Sequence, residues 1–325
     1  MHAFWKEVAV FKSYRTNFVK SLSAANQNFT CSDHQRCLLT WWFTHGMPAS
    51  LAQDFLLLPW TVVVLAILGL VLTYLLRGWR VCREFKQFPK MRFGAALLVV
   101  LWHNASVNVM PFRSGEAAFP WLLNRRFDIS LTRATASLLW LRIQDACVVL
   151  MLGIWVLADI ELLLRVLLSI GLVIAALLFA KWSRAASSSL TQWPWKYLNG
   201  FRQALAESNA HSPEGWWVTV ANWVIKLSVQ AMLFAALLQV GFQTGLAGTF
   251  GAELAAVTPL QGVAGIGSYE AASAAAMLPW GVEWSVGLRT ALVVHLVVLS
   301  CALSCAAVAW FVSVATTTPP PDTVA

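Results

Sequence analysis

A chain of 325 residues in which 58% of the positions are hydrophobic and only 12% are charged is not an ordinary soluble domain, where about a quarter of the residues carry charge. Its mean hydropathy of +0.65 makes the bilayer the solvent for most of the chain. The net charge of +8 does not indicate nucleic acid, because the basic residues stand in short segments beside apolar runs, where they set topology and contact anionic headgroups.

Three parts are predicted along the chain. Residues 1–50 are mixed and polar and lack the pattern of a cleaved signal peptide. Residues 51–315 form a single transmembrane domain, and residues 316–325 form a Pro-rich cytoplasmic tail. Met47 stands just before the first apolar run, so the composition favours a translation start nearer to this run than Met1.

The first apolar run covers residues 55–76, which is long enough to cross about 30 Å of hydrocarbon as a helix. The segment after it holds six basic residues against the single acidic Glu84. These are Arg77, Arg80, Arg83, Lys86, Lys90 and Arg92. Loops this short and basic stay in the cytoplasm, so the N-terminus is predicted to face outward.

The next apolar stretch, residues 93–123, is too long for one span and too short for two. Asn108, Pro111, Gly115 and neighbouring polar residues interrupt its middle. We predict a broken hairpin that enters from the cytoplasm and returns there. This arrangement keeps three further basic residues on the cytoplasmic side: Arg125, Arg126 and Arg133.

Two spans and a basic loop follow. Residues 134–158 are predicted to run outward, and after a turn at Asp159 and Glu161 the chain returns to Lys181. Residues 181–215 are basic again and are predicted to form a cytoplasmic loop.

The last part of the layout repeats the earlier pattern. Residues 216–240 cross outward, residues 242–279 are apolar but interrupted at 259–270, and residues 286–312 form the final inward span. The C-terminus is therefore predicted to be cytoplasmic.

The two interrupted stretches have similar sequences. Residues 111–118 read Pro-Phe-Arg-Ser-Gly-Glu-Ala-Ala and residues 265–272 read Gly-Ile-Gly-Ser-Tyr-Glu-Ala-Ala, each followed by a span led by Arg133 or Arg289. Halves of opposite orientation with matched broken helices are typical of inverted-repeat transporters, whose substrate site lies near the midplane. The predicted fold is all-α, a polytopic transmembrane helical bundle with two broken, re-entrant-type hairpins and an inverted repeat.

Glu116 and Glu270 stand in apolar surroundings at the two interruptions, where an ionised group costs several kcal/mol unless it faces a cavity or a partner. One interpretation is a polar cavity in which Arg113 holds a phosphate oxygen while the carboxylates bind a cation, an amine or a proton. The other is that the carboxylates cap the N-termini of half-helices. The candidates for binding substrate or ion are Arg113, Glu116, Glu270, Asn108, Gly115, Gly265, Gly267 and Tyr269.

Three other groups of residues carry predictions. Arg142 and Asp145 are three apart on an apolar helix and are predicted to form a structural intramembrane pair. His103 and His295 could make hydrogen bonds between helices or act as proton relays. We predict no catalytic residue, metal site or cofactor, because nucleophile–base constellations are absent and Cys31 and Cys37 lack partners at zinc-ligand spacing.

Two signatures stand in order along the chain. They are Asn108-Val-Met-Pro-Phe-Arg-Ser-Gly-Glu116, followed by Arg126, Arg133, Arg142 and Asp145, and then Gly265-Ile-Gly267-Ser-Tyr-Glu270. In these residues the sequence resembles the transmembrane, flippase-like region of the lysylphosphatidylglycerol synthetase family. Members typically show Asn, then Pro-x-Arg-x-Gly-Glu or a close variant, and later Gly-x-Gly-x-x-Glu. The resemblance covers residues 55–315.

The resemblance implies a domain that moves aminoacylated phosphatidylglycerol, or another lipid-linked headgroup, between leaflets. Its motif residues here are Arg113, Gly115, Glu116, Arg142, Asp145, Gly267 and Glu270. Full-length relatives continue into a soluble aminoacyl-transferring domain whereas this chain ends at Ala325, so lysyl transfer is not expected. The family usually begins with an additional span, for which residues 1–50 show no strong candidate.

We therefore expect a bacterial inner-membrane protein that moves a phospholipid, an aminoacyl-phospholipid or a polyprenyl-linked headgroup, with membrane lipids and not nucleic acid as its partners. A copy of itself or an envelope enzyme could be a protein partner. Without an ATP-binding motif, movement is either passive or coupled to an ion through Glu116 or Glu270. Two alternatives remain open, a non-transporting scaffold or accessory subunit and a membrane-embedded polyprenyl-lipid transferase.

Overall fold

The computed structural model describes residues 54–56, 58–156, 161–184, 195–206, 213–257 and 263–315. Within these residues the chain forms ten α-helices, a few 3-10 segments and no strand. The helices are α1 (Trp60–Glu84), α2 (Phe93–Val109), α3 (Ala118–Phe127), α4 (Leu131–Val156), α5 (Leu162–Arg184), α6 (Trp195–Ala206), α7 (Pro213–Leu238), α8 (Phe242–Val257), α9 (Ser268–Met277) and α10 (Trp284–Ala315). We call α1–α4 the first half and α7–α10 the second half.

Five of these helices are long and apolar enough to cross a membrane, namely α1, α4, α5, α7 and α10. At 1.5 Å per residue, the 25 residues of α1 span about 37 Å, more than the hydrocarbon core of a bilayer. The prediction of an all-α, polytopic helical bundle is confirmed.

The first broken hairpin runs from α2 through a 3-10 segment, Pro111–Ala117, into α3. Pro111 has no N–H to continue the hydrogen bonds of α2, and Arg113 then adopts a positive φ of 54°. Gly115 lies directly against α2, since a Cβ at this position would lie 2.3 Å from the carbonyl oxygen of Ser106. The hairpin therefore closes only with glycine here. We call residues 110–117 the first break.

The second broken hairpin joins α8 to α9. Its described part contains a 3-10 turn, Val263–Gly265, and α9 begins after Gly267, whose φ of +95° is a conformation that favours glycine. We call residues 263–267 the second break. The interruption predicted at Pro259 lies outside the described residues.

The order of the elements bears on the inverted repeat. Among the described residues, three long apolar helices, α4, α5 and α7, separate the two hairpins. If each hairpin enters and leaves on the same side of the membrane, the three crossings between them bring the chain to the other side. The two hairpins then enter from opposite faces. Which face is cytoplasmic remains a prediction from charge.

One expectation about a loop is wrong, and another segment predicted as a loop contains a helix. Helix α1 continues to Glu84, well past the apolar run that ends at residue 76, so Arg77 and Arg80 belong to a span and not to a loop. Arg80 is only 6% exposed, because α1 packs against neighbours that offer polar partners. The loop predicted at residues 181–215 contains the amphipathic helix α6, while Asp159 lies outside the described residues.

The core lies where α1, α7 and α10 meet. Leu70, Leu233, Phe234 and Val293 are buried there in one apolar cluster. Helix α5, by contrast, has almost no buried residue and presents leucines and isoleucines all round its surface. Such a helix is typical of a span that faces lipid.

Replacing Gly115 by Val should destabilise the protein, because the new side chain must push the 3-10 segment away from the backbone of Ser106. We expect a cost of about 1–3 kcal/mol, seen as a lower midpoint of thermal unfolding in detergent. Gly171→Val on α5 is the matched control, since a Cβ there meets no atom within 4 Å. Equal midpoints for the two variants would contradict the packing described.

Candidate functional site: a polar network inside the membrane

Glu116, in the first break, is held by three side chains from different segments. Arg113 Nη2 donates to Oε1 at 2.6 Å, and Arg142 Nη2 on α4 donates to Oε1 and Oε2 at 2.8 and 3.0 Å. His103 Nε2 on α2 lies 3.4 Å from Oε2. The carboxylate thus joins the break to the helices before and after it.

Arg113 also reaches beyond its own hairpin. Its Nη1 donates to the backbone carbonyl of Ala256, in the last turn of α8. One guanidinium therefore contacts the glutamate of the first hairpin and the helix that leads into the second. This is a direct link between the two halves.

Glu270 lies in the first turn of α9 and is fully buried. Its Oε2 accepts the N–H of Gly267 at 2.6 Å, while its Oε1 lies 2.7 Å from Nδ1 of His295 on α10. The imidazole of His295 is stacked on Tyr269, with ring centroids 4.2 Å apart. Glu270 therefore caps the N-terminus of α9, as one of the two interpretations expects, and also contacts a histidine of α10, while its binding of a cation, an amine or a proton stays a prediction.

The contacts of the two glutamates follow one pattern. Each is contacted by the residue three positions earlier, Arg113 or Gly267. Each is also contacted by a residue of the next long helix. Arg142 comes 26 residues after Glu116, and His295 comes 25 residues after Glu270. The correspondence seen in the sequence therefore extends to the contacts, with an arginine in the first half where the second half has a histidine.

Asp145 continues the polar contacts from α4 to its neighbours. Arg80 Nη1 on α1 donates to Oδ1 at 2.7 Å, and the indole N–H of Trp223 on α7 donates to the same oxygen at 3.1 Å. Arg142 Nη1 is further away, 3.7 Å from Oδ2. Asp145 is thus bound more closely by Arg80 than by Arg142, its predicted partner.

Lys226, on α7, connects this cluster to the second half. Its ammonium lies 4.8 Å from the centre of the Trp223 ring and 2.6 Å from Oε1 of Glu253 on α8. Gln230 donates to the same oxygen at 3.0 Å and accepts from the Tyr269 hydroxyl, also at 3.0 Å.

Together these contacts form one continuous series from Glu116 to Glu270, which we call the polar network. Its members are Glu116, Arg142, Asp145, Trp223, Lys226, Glu253, Gln230, Tyr269, His295 and Glu270. Most are largely buried, but the side chain of Arg142 is 35% exposed and is the most accessible of the charged members. A guanidinium that is both paired and accessible can exchange its carboxylate for another anion.

The remaining predicted site residues either allow the backbone of the two breaks to adopt its conformation or lie outside the polar network. Gly115 and Gly267 shape the two breaks, and Gly265 lies beside the His295 ring, with a Cβ built there 3.7 Å from Cε1. Asn108 is half-buried near the end of α2 and is not a member of the polar network. Within the described residues, no group of three or more His, Cys, Asp or Glu could hold a metal ion.

Sequence reasoning missed Arg80, Lys226 and Gln230. Lys226 could have been found, since it is the one charge in the interior of the apolar helix α7 and such a residue marks a functional or paired position. Arg80 was not singled out because it is one of six basic residues in a segment that was predicted to be a loop. Gln230 carries no charge, so nothing in its local sequence distinguishes it.

A scan against models of protein families matched residues 30–312 to the family described as the lysylphosphatidylglycerol synthase TM region. This covers most of the chain and begins before residue 51, the predicted start of the membrane domain. A search of curated proteins found no match.

Lys226→Met should destabilise the protein by about 3–5 kcal/mol, because it leaves Glu253 charged and unpaired inside the bundle. The double variant Lys226→Met/Glu253→Gln should recover much of that loss. A double-mutant cycle on thermal unfolding in detergent measures the coupling.

The control is the exposed pair Arg83–Glu214, which also joins two helices. Its Arg83→Met/Glu214→Gln cycle should give less than about 1 kcal/mol. Additive effects at Lys226 and Glu253 would show that they do not pair.

Proposed function

The chain belongs to the family of the lysylphosphatidylglycerol synthase transmembrane region, and from this membership we propose that it moves an amphiphilic lipid between leaflets along the polar network. The family makes it an integral membrane protein related to lipid modification or transport. The transported lipid would be a phospholipid, an aminoacyl-phospholipid or a polyprenyl-linked headgroup. No covalent step is involved in the proposal.

The observation that carries the proposal is the continuity of the polar network between the two breaks. Charged groups in hydrocarbon cost several kcal/mol each, and they mark pathways for ions and polar substrates. Irregular backbone is tolerated at this depth only where it is buried in protein or lines a cavity. Two such breaks, joined by a continuous series of ion pairs, hydrogen bonds and aromatic contacts, fit a headgroup path better than a passive support.

Arg142 is the proposed contact for the phosphate. Its guanidinium now donates to both oxygens of Glu116, and a phosphate presents two oxygens in the same geometry. A headgroup that replaces Glu116 leaves this carboxylate free to accept a proton or a headgroup amine. One ion pair is exchanged for another, so no bare charge is created, and the lipid tails remain in hydrocarbon.

Glu270 and His295 take the corresponding part in the second half. Their hydrogen bond joins α9 of the second hairpin to α10, and because that hairpin would enter from the opposite face, each half would receive the headgroup from one leaflet. The contact of Arg113 with Ala256 couples a change in the first break to the end of α8. The proposal includes a location in the bacterial inner membrane, as the family resemblance implies, and a cytoplasmic C-terminus, on the charge pattern described above.

Transport is tested with the purified full chain in liposomes that carry fluorescent phospholipid or polyprenyl-phosphate probes. Wild type should expose inner-leaflet probe to a membrane-impermeant quencher. Glu116→Gln and Glu270→Gln should each slow this exchange by more than about tenfold, a barrier increase of about 1.4 kcal/mol or more. Glu214→Gln, which neutralises an exposed carboxylate outside the polar network, should leave the rate unchanged.

Thermal unfolding of each variant keeps folding and transport separate. Well-folded wild type that moves no probe would overturn the proposal and favour a non-transporting scaffold. Equal rates for wild type and both glutamate variants would remove the carboxylates from the mechanism.

A further inference from the structure

An apolar groove lies on the bundle, and none of its lining residues belongs to either break. It has a volume of about 690 Å³ and runs between α1, α2 and α10. Its walls are formed mainly by aliphatic side chains such as Leu75, Leu97, Leu101 and Val308. The volume is within the range of pockets that hold small molecules. Because α1 and α10 are long enough to cross the membrane and α2 is apolar, the natural contents of the groove are the tails of lipids.

The length of the groove corresponds to one leaflet. On α10 it extends from Ser304 to Ser313. At 1.5 Å per residue this is about 13 Å, close to half of the hydrocarbon thickness of about 30 Å. An acyl chain that starts at the headgroup level would therefore occupy it from end to end.

The polar residues of the groove lining differ in chemistry. The hydroxyl of Tyr74 accepts a hydrogen bond from Asn104 Nδ2 at 3.3 Å, so its polar atom is already satisfied. Arg126, in the last turn of α3, is the one charged residue among the described residues of the lining. Arg126 is exposed, and within the described residues it makes no ion pair, while the nearby Asp128 carboxylate lies 3.9 Å from Lys90.

We propose that this groove binds one acyl chain of an anionic phospholipid whose phosphate pairs with Arg126. The apolar walls select a hydrocarbon tail, and a free guanidinium in the lining favours a phosphate whose charge no headgroup cation offsets. The occupant is a lipid from the leaflet on the side of the basic segment that contains Lys90 and Arg92. The proposal concerns binding, and it does not depend on transport along the polar network.

Photo-crosslinking of the full chain in nanodiscs tests the proposal. The probe is phosphatidylglycerol with a diazirine in one acyl chain, compared with the zwitterionic phosphatidylcholine that carries the same chain. Mass spectrometry should locate the adducts on the lining of α1, α2 and α10. The anionic probe should label these residues about fivefold more than the zwitterionic one, which is the effect of one basic residue beside a headgroup.

Arg126→Gln should abolish this preference for the anionic probe. Arg125→Gln, which removes the same charge from the neighbouring position but does not line the groove, should preserve it. Cys305→Trp should fill the groove and reduce labelling of its lining by both probes. Val308→Trp provides a second obstruction at a position that is 62% exposed, where a larger side chain does not disturb the core.

Labelling that follows exposure alone, with α5 marked as strongly as the groove, would overturn the proposal. So would labelling of the lining that neither tryptophan reduces. A preference that survives Arg126→Gln would overturn the role of this arginine. Scrambling by the same variants is measured separately, so a failure of transport and a failure of lipid binding give different results.

Discussion

A charge inside a bilayer must have a partner, and most of the polar structure of this protein follows from that requirement. Removing one member of a buried pair leaves the other bare, at a cost of about 3–5 kcal/mol. Asp145 therefore has Arg80 and Trp223 around it, and Lys226 lies against Glu253. These pairs fix how α1, α4, α7 and α8 rotate about their axes, because each charged side chain must face its partner.

The two glutamates of the breaks are held by partners of different strength. Arg142 is a permanent cation whose guanidinium donates to both oxygens of Glu116, whereas the imidazole of His295 offers a single ring nitrogen to Glu270. Glu270 is also fully buried while Glu116 is partly exposed. The two halves therefore share an arrangement of contacts but are not chemically equivalent.

The sequence was informative where a single residue stood out from its surroundings. Glu116 and Glu270 could be identified because each interrupts an apolar stretch, and the spacing of Arg142 and Asp145 put both on one face of α4. It was uninformative where a residue's contact partner is far away along the chain. Arg80 and Asp145, for example, are in contact but lie 65 positions apart. The pairing of Lys226 with Glu253 depends on how α7 packs on α8, and no local pattern encodes this. Helix α6 was missed because its short amphipathic sequence lies in a segment whose charge suggested a loop.

Among the described residues, the close ion pairs made by the polar network join residues of the same half. Arg80 and Asp145, like Arg142 and Glu116, belong to the first half, and Lys226 and Glu253 belong to the second. The ribosome completes the first half while the second is still unmade, and membrane segments that arrive early wait in lipid for later ones. The first half can neutralise these charges before the second half emerges. Biogenesis therefore does not require an arginine or aspartate of the first half to remain unpaired in the bilayer until its partner is synthesised.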